Sequence, residues 1–201
     1  VYWRVRLEDG TLGDRRTLVG FKGTHDPVKE AADTTVKWRS SPHSRPENSL
    51  VGMLYECFPA YGSFVVQSPD SFLFAGTGVT QGQAVPGVVG TEIDRVYPIA
   101  GTPESLELVG HSPVVCGGTK KKTFADATYY TTDANSFVFA TGSQDWVHVL
   151  WGPNPKRGID DTSIAFVRQV TSNLLREMAK PLGEAPPASR PNVSELDLSS
   201  A

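Results

Sequence analysis

An α/β chain, built mostly of strands with a β-rich middle and one long C-terminal helix, is what three features of this 201-residue sequence predict. Short apolar runs of strand length recur along the chain, separated by Gly, Pro, Asn and Asp clusters. Residues 136–143, SFVFATGS, form a continuous apolar run that ends in Gly142-Ser143, as a buried strand does where it hands over to a loop in an α/β sheet. A single amphipathic stretch, residues 160–180, carries helical periodicity.

The elements follow in order. Tyr2-Trp3-Arg4-Val5-Arg6-Leu7 alternates large apolar with basic residues, Glu8-Asp9-Gly10 supplies a turn, and residues 15–21 make the return strand of a hairpin. His25 falls in the turn-rich segment that follows. Pro42 and Pro46 exclude a long helix from residues 28–48. Residues 49–58, SLVGMLYECF, read as a strand buried on both faces, and residues 63–67 and 71–75 as two more strands around Ser68-Pro69-Asp70. Residues 76–90 hold five glycines and read as a loop. Their glycine spacing is phosphate-loop-like, but without a Lys-Ser/Thr ending or a following helix it makes no nucleotide site. Residues 105–110 and 114–116 continue the strand pattern, and residues 124–131 and 136–140 pair antiparallel across Thr132-Asp133-Ala134-Asn135. In the helix, Phe166, Val170, Leu174 and Met178 mark an apolar face widened by Ile164, Val167 and Leu175. Asp160, Asp161 or Thr162 caps it, and Pro181 and Gly183 stop it. Residues 181–201 are expected to be a disordered tail.

Composition bounds the function. With 39% hydrophobic and 20% charged residues, the chain has the make-up of a globular protein. Its 19 basic and 22 acidic residues give a net charge of -3, with no long-range pull toward nucleic acid or an anionic membrane. Lys120-Lys121-Lys122 follows two glycines and reads as a solvated loop tip. No run approaches the ~18 apolar residues of a membrane span. Cys57 and Cys116 match no metal or redox spacing, and buried free thiols are favoured over a disulfide. Asn192-Val193-Ser194 is a formal glycosylation sequon in the tail. The chain opens without Met inside a strand-like pattern, so a fragment is expected.

No nucleophile elbow, HExxH, CxxC pair or Walker sequence is present. His25, His43, His111 and His148 have no spacing that supports a triad. Acids, a base and aromatics converge under Gly/Pro control in one place, GVVGTEIDRVYPIAGTP at residues 87–103. Charges in such apolar company either pair or do chemistry. One outcome is a strand with an internal Asp94/Arg95 pair and a solvated Glu92; the other is a carboxylate acting as general base. Tyr97, Tyr129 and Tyr130 can serve either as core aromatics with one wet end or as oxygen ligands to a hard metal.

The order of Tyr2-Trp3-Arg4-Val5, Lys37-Trp38-Arg39 with Arg45-Pro46 and Leu50-Val51-Gly52, Gly90-Thr91-Glu92-Ile93-Asp94-Arg95 with Gly101-Thr102-Pro103, and Phe139-Ala140-Thr141-Gly142-Ser143 with Trp146 resembles the C-terminal part of the large (beta) subunit of N,N-dimethylformamidase. The resemblance runs from residue 1 to about residue 180. It implies the C-terminal half of an amidotransferase-like (flavodoxin-like) α/β domain over residues 1–180, with residues 36–131 as a β-rich insertion. It also implies hydrolysis of a small amide at an iron held by two tyrosines and a carboxylate, these ligands lying upstream of this chain. Glu92 matches the acid of the family's Gly-x-Glu-x-Asp pattern, placed to hold or deprotonate the attacking water, with Asp94 and Arg95 supporting it. The partners implied are the small amide, a small second subunit and further copies of the chain, and activity by this chain alone is not expected. A second reading is a non-catalytic β-rich module of a larger secreted or surface protein, binding glycan or a partner.

Overall fold

In the computed structural model, residues 36–181, 183–196 and 198 are described, together with residues 30 and 34 and the backbone of residues 5–6 and 12–13. The chain divides into two units, Val1–Glu47 and Asn48–Ala201. In the first, β1 (Val5–Arg6) pairs antiparallel with β2 (Leu12–Gly13), so the expected hairpin has a nearer return strand than residues 15–21, which lie outside the described residues. Arg39 grips Glu47 with a two-point ion pair, and His43 Nε2 lies 3.1 Å from Thr34 Oγ1. His25 also lies outside the described residues.

The second unit is β-sandwich-like and not α/β. A helical turn, α1 (Asn48–Val51), precedes β3 (Leu54–Val65), which pairs antiparallel with β4 (Ala84–Arg95). The second sheet has the order β5 (Glu107–Val115), β6 (Lys122–Thr131), β7 (Phe137–Ala140), again antiparallel throughout. An α/β domain needs parallel strands joined by helical crossovers of a dozen residues or more. Here β5 reaches β6, and β6 reaches β7, through tight turns, which permit only antiparallel pairing. The SFVFATGS strand, expected to complete an α/β layer, is therefore the edge partner of β6, itself part of the expected insertion of residues 36–131, and the flavodoxin-like assignment falls.

Local expectations shift for local reasons. Residues 49–58 split into the α1 turn and the start of β3, where Tyr55 and Phe58 are exposed and Leu54, Glu56 and Cys57 half-buried, so this part of the strand is not covered on both faces. Residues 72–74 form a single 3-10 turn, not a strand. The loop predicted for residues 76–90 ends earlier, because Gly87 and Gly90 sit inside β4. A Cβ at Gly87 would lie 2.7 Å from the Arg157 carbonyl oxygen, and one at Gly90 would lie 2.6 Å from Asp145 Oδ2. Both glycines mark close approach within a strand. The turn at residues 132–135 and the antiparallel β6–β7 pair are as expected.

The core fills the space between the sheets and one helix. Phe64, Trp146 and Phe166 make mutual ring contacts at 5.4–6.1 Å between centroids, and Phe74 stacks on Phe166 at 5.7 Å. Each such ring contributes about 1.5–3 kcal/mol through burial. α2 (Asp145–Val149) supplies Trp146 and Val149. α3 (Asp161–Met178) buries Ile164, Phe166, Val167 and Val170 of its predicted apolar face but leaves Leu175 and Met178 exposed, and it is capped by Asp160, whose Oδ1 accepts from Ser163 N at 2.8 Å. Asn173 fastens it to the 3-10 turn, donating to the Leu73 and Ala75 carbonyls at 2.9 and 2.8 Å.

Two further expectations change. Cys57 and Cys116 form a disulfide that joins β3 to the end of β5, with Cα atoms 5.9 Å apart. β3 meets the end of β5 here, with Gly117 N donating to the Pro59 carbonyl at 2.7 Å, and that contact brings the two residues together, a juxtaposition invisible to spacing. Within the segment expected to be a disordered tail, the described residues from 187 to 192 lie along β5 and β6 as a strap. Tyr129 donates to the Pro187 carbonyl (2.6 Å), Arg190 N donates to Glu107 Oε2 (2.9 Å), and Asn192 Oδ1 accepts from Leu108 N (2.8 Å). Val193, Leu196 and Leu198 then pack on a second apolar cluster of Met53, Val96, Leu106, Leu108 and Tyr130. With its side-chain amide committed to β5 and Ser68, Asn192 is a structural residue of the folded chain.

Candidate functional site

β4 carries the stretch singled out by sequence. Its residues alternate: Ile93 and Arg95 are buried, while Glu92 and Asp94 are half-buried on the opposite side. Glu92 stands opposite a bulge in β3, where the register jumps from Cys57↔Ile93 to Ala60↔Thr91. Among the described residues its carboxylate has no hydrogen-bond or ion-pair partner. Its backbone is held instead: the Glu92 carbonyl accepts from Gln144 N (3.3 Å), and Asp94 N donates to the Gly142 carbonyl (2.9 Å).

Arg95 does not reach Glu92. Its guanidinium donates to Thr123 Oγ1 at 2.9 Å and to the Leu198 carbonyl, and lies over the rings of Tyr97 and Phe124. Thr123 passes the network to Glu56 (2.6 Å), which also accepts from Tyr97 and from Lys121 Nζ (3.1 Å). Burial pushes the Glu56 carboxyl up, but the hydrogen bonds from Thr123, Tyr97 and Lys121 outweigh it and hold the group below its ordinary range. Arg95 thus ties β4 to β6 and the strap. Lys121 closes a surface pair, and Lys122 begins β6.

Sequence reasoning missed the cluster on the other side of Thr91. Asp145, at the start of α2, has a side chain only 1% exposed. Its carboxylate accepts from Arg157 Nη2, from Thr91 Oγ1 (3.2 Å) and from His148 Nδ1 (2.8 Å). Arg157 also donates to Thr91 Oγ1 (2.8 Å) and lies 4.3 Å from the centre of the Tyr61 ring. With Nδ1–H turned to the carboxylate, a neutral His148 presents Nε2 as an acceptor. The exposed Trp151 packs beside this imidazole at 4.7 Å. Ser143 knits the cluster to β4: its Oγ accepts from Gly90 N (2.9 Å) and Asp145 N (3.2 Å) and lies 2.7 Å from the Gly90 carbonyl.

The Gly90-Thr91 and Thr141-Gly142-Ser143 motifs, separated in sequence, meet here, with Trp146 beneath them. Over residues 1–159 the chain matches the family described as N,N-dimethylformamidase beta subunit-like, C-terminal. The chain belongs to that family. A search among curated proteins finds no match. In this member of the N,N-dimethylformamidase beta subunit-like C-terminal family, the quoted motifs line the contact between β4 and the residues leading into α2.

The resemblance places the iron on ligands upstream of this chain, and the described residues offer it no site of their own. Among them, no group of three or more His, Cys, Asp and Glu converges. The three tyrosines considered as ligands are protonated donors: Tyr97 to Glu56, Tyr129 to the Pro187 carbonyl and Tyr130 to the Leu50 carbonyl (2.6 Å). Burial raises all three phenols, Tyr97 to about 12, which opposes the phenolate a metal requires. His111 is likewise committed, to Asp126 at 2.6 Å, while Asp126 also accepts from Val96 N at 2.7 Å.

Proposed function

We propose that this chain is one part of an iron-dependent hydrolase of small amides, with its metal held by residues outside those described and Glu92 as the acid–base group this chain contributes. Family membership supports the class of reaction. The observation that carries the role of Glu92 is a half-buried carboxylate, without partner among the described residues, on a backbone held at its own carbonyl and at the Asp94 amide. Such an acid keeps its lone pairs for substrate or water, where Glu56 has spent its own.

The chemistry assigned to Glu92 is proton transfer. A water oxygen attacks the amide carbonyl carbon while a Glu92 carboxylate oxygen accepts the proton that water gives up. As the C–N bond breaks, the same proton passes to the departing nitrogen, leaving a carboxylic acid and an amine. Placing this base is worth roughly 10²–10⁴ in rate. Asp94 lies on the same strand side two residues on, and Arg95 acts at a distance by holding β4 to β6 and the strap.

The full-length protein containing this chain, incubated with small N,N-dialkyl amides, is expected to release the amine, and iron chelation is expected to stop the release. A folded, iron-loaded protein that releases no amine from such amides would favour the binding-module reading, for which the exposed Trp151 and Tyr61 are the supporting feature.

A further inference from the structure

We infer that Asp145 and Arg157 are positioning residues that set the aim of Glu92, an inference that rests on the amide-hydrolase reading. Glu92 has no side-chain partner among the described residues to orient it, so its direction follows from the β4 backbone. That backbone is held around Glu92 by residues 142–145. Asp94 N binds the Gly142 carbonyl, the Glu92 carbonyl binds Gln144 N, Ile93 bridges to Ser143, and Ser143 Oγ takes the Gly90 amide.

The holding segment is short and rests on two anchors. One is Gly142, at φ 57°, where a Cβ would fall 1.9 Å from the Asp126 carbonyl oxygen. The other is Asp145. Its carboxylate reaches back to Thr91, the residue before Glu92, and Arg157 bonds to both Thr91 and Asp145. Arg157 comes from the 3-10 turn Pro155–Arg157, which approaches β4 because Gly87 has no side chain, and its guanidinium is braced on Tyr61, the cross-strand partner of Gly90. Thr91 Oγ1 is thus held by both members of the Asp145–Arg157 pair.

A buried ion pair is a weak source of net stability, but removing one partner leaves the other charge uncompensated. The Asp145–Arg157 pair therefore gives direction: its hydrogen bonds fix where Thr91 and residues 142–145 sit, which an apolar pair of equal volume does not. Misplacing a reacting group by about 1 Å can cost ~10²-fold in rate.

The test is a double-mutant cycle on the full-length, iron-loaded protein, with kcat and KM for a small N,N-dialkyl amide and backbone amide exchange over residues 88–95 as readouts. Arg157→Met is expected to lower kcat roughly 10–100-fold with KM little changed, to accelerate exchange over residues 88–95, and to be partly rescued by Arg157→Lys. Combined with Glu92→Gln, it is expected to add nothing to the loss from Glu92→Gln alone, because Arg157 acts through Glu92. Multiplying losses, or unchanged exchange, would overturn the positioning role while leaving the amide-hydrolase reading standing. Wild-type turnover by Glu92→Gln would remove the acid–base role of Glu92, and the positioning role with it. If Arg157→Met does not fold, Asp145→Asn completes the same cycle with the same deciding outcomes.

Discussion

Glu107 shows how one residue under the strap makes stability depend on pH. It is buried beneath Arg190, and burial raises its carboxyl above the ordinary 4.5 despite the hydrogen bonds from Arg190 N and Ser68 and the Arg190 charge. The folded state therefore keeps its proton to higher pH than the unfolded chain does. As pH rises past 4.5 the unfolded chain ionises first, so this contribution is present below 4.5 and is lost as pH climbs through the raised folded value. Glu107→Gln is expected to raise Tm at neutral pH and flatten its dependence on pH above the ordinary carboxylate range. Thermal melts between acid and neutral pH check this, and an unchanged slope would show that another group sets it. Glu92 is singled out through the resemblance of Gly90-Thr91-Glu92-Ile93-Asp94 to the family's pattern, since the residues alone fit an ion-paired strand equally well. Arg157 is not: in Pro155-Lys156-Arg157 it reads as a solvent-facing turn, and nothing in a single sequence places it against Asp145.

Elements whose signal lies within one stretch of chain were legible, and those that depend on a distant partner were not. α3 declared itself because period, cap and stop signals agree. Asp160→Ala removes the side-chain acceptor of Ser163 N and is expected to cost about 1 kcal/mol, measured by chemical denaturation. A loss of several kcal/mol would show that Asp160 does more than cap. The strap gave no such signal. Its Pro-, Ser- and Ala-rich sequence has few apolar residues, but Asn192, Val193, Leu196 and Leu198 meet β5 and the second core at separated points. Asn192→Ala leaves the Leu108 amide without its acceptor, an expected cost of about 1–3 kcal/mol. A neutral effect would mean that the strap is held by its apolar residues alone.

For the whole molecule, the antiparallel β6–β7 pair was readable, but the strand count and the layer architecture were not: residues 49–58 and 63–67 contribute to the single strand β3, and residues 72–74 form a 3-10 turn. Apolar runs and turn residues located β5, β6 and β7, but SFVFATGS suits a parallel central strand and an antiparallel edge equally well. The short connections decide for antiparallel sheets, and with them the sandwich-like arrangement. The same topology brings Cys57 and Cys116, 59 residues apart, into a disulfide. Replacing both with Ser is expected to cost about 2–5 kcal/mol, most of it through the longer reach of the unfolded chain. Equal stability of the oxidised protein and the double variant would show that the bridge constrains little. Because the disulfide joins β3 next to the bulge opposite Glu92, its loss acts on the wall of the candidate site as well as on stability.

The central claim is that Glu92 is the acid–base group this chain brings to amide hydrolysis, and the most direct measurement is kcat together with iron content for Glu92→Gln in the full-length protein. The account expects turnover to fall by roughly 10²–10⁴ with iron content unchanged. Wild-type turnover in that variant would contradict it.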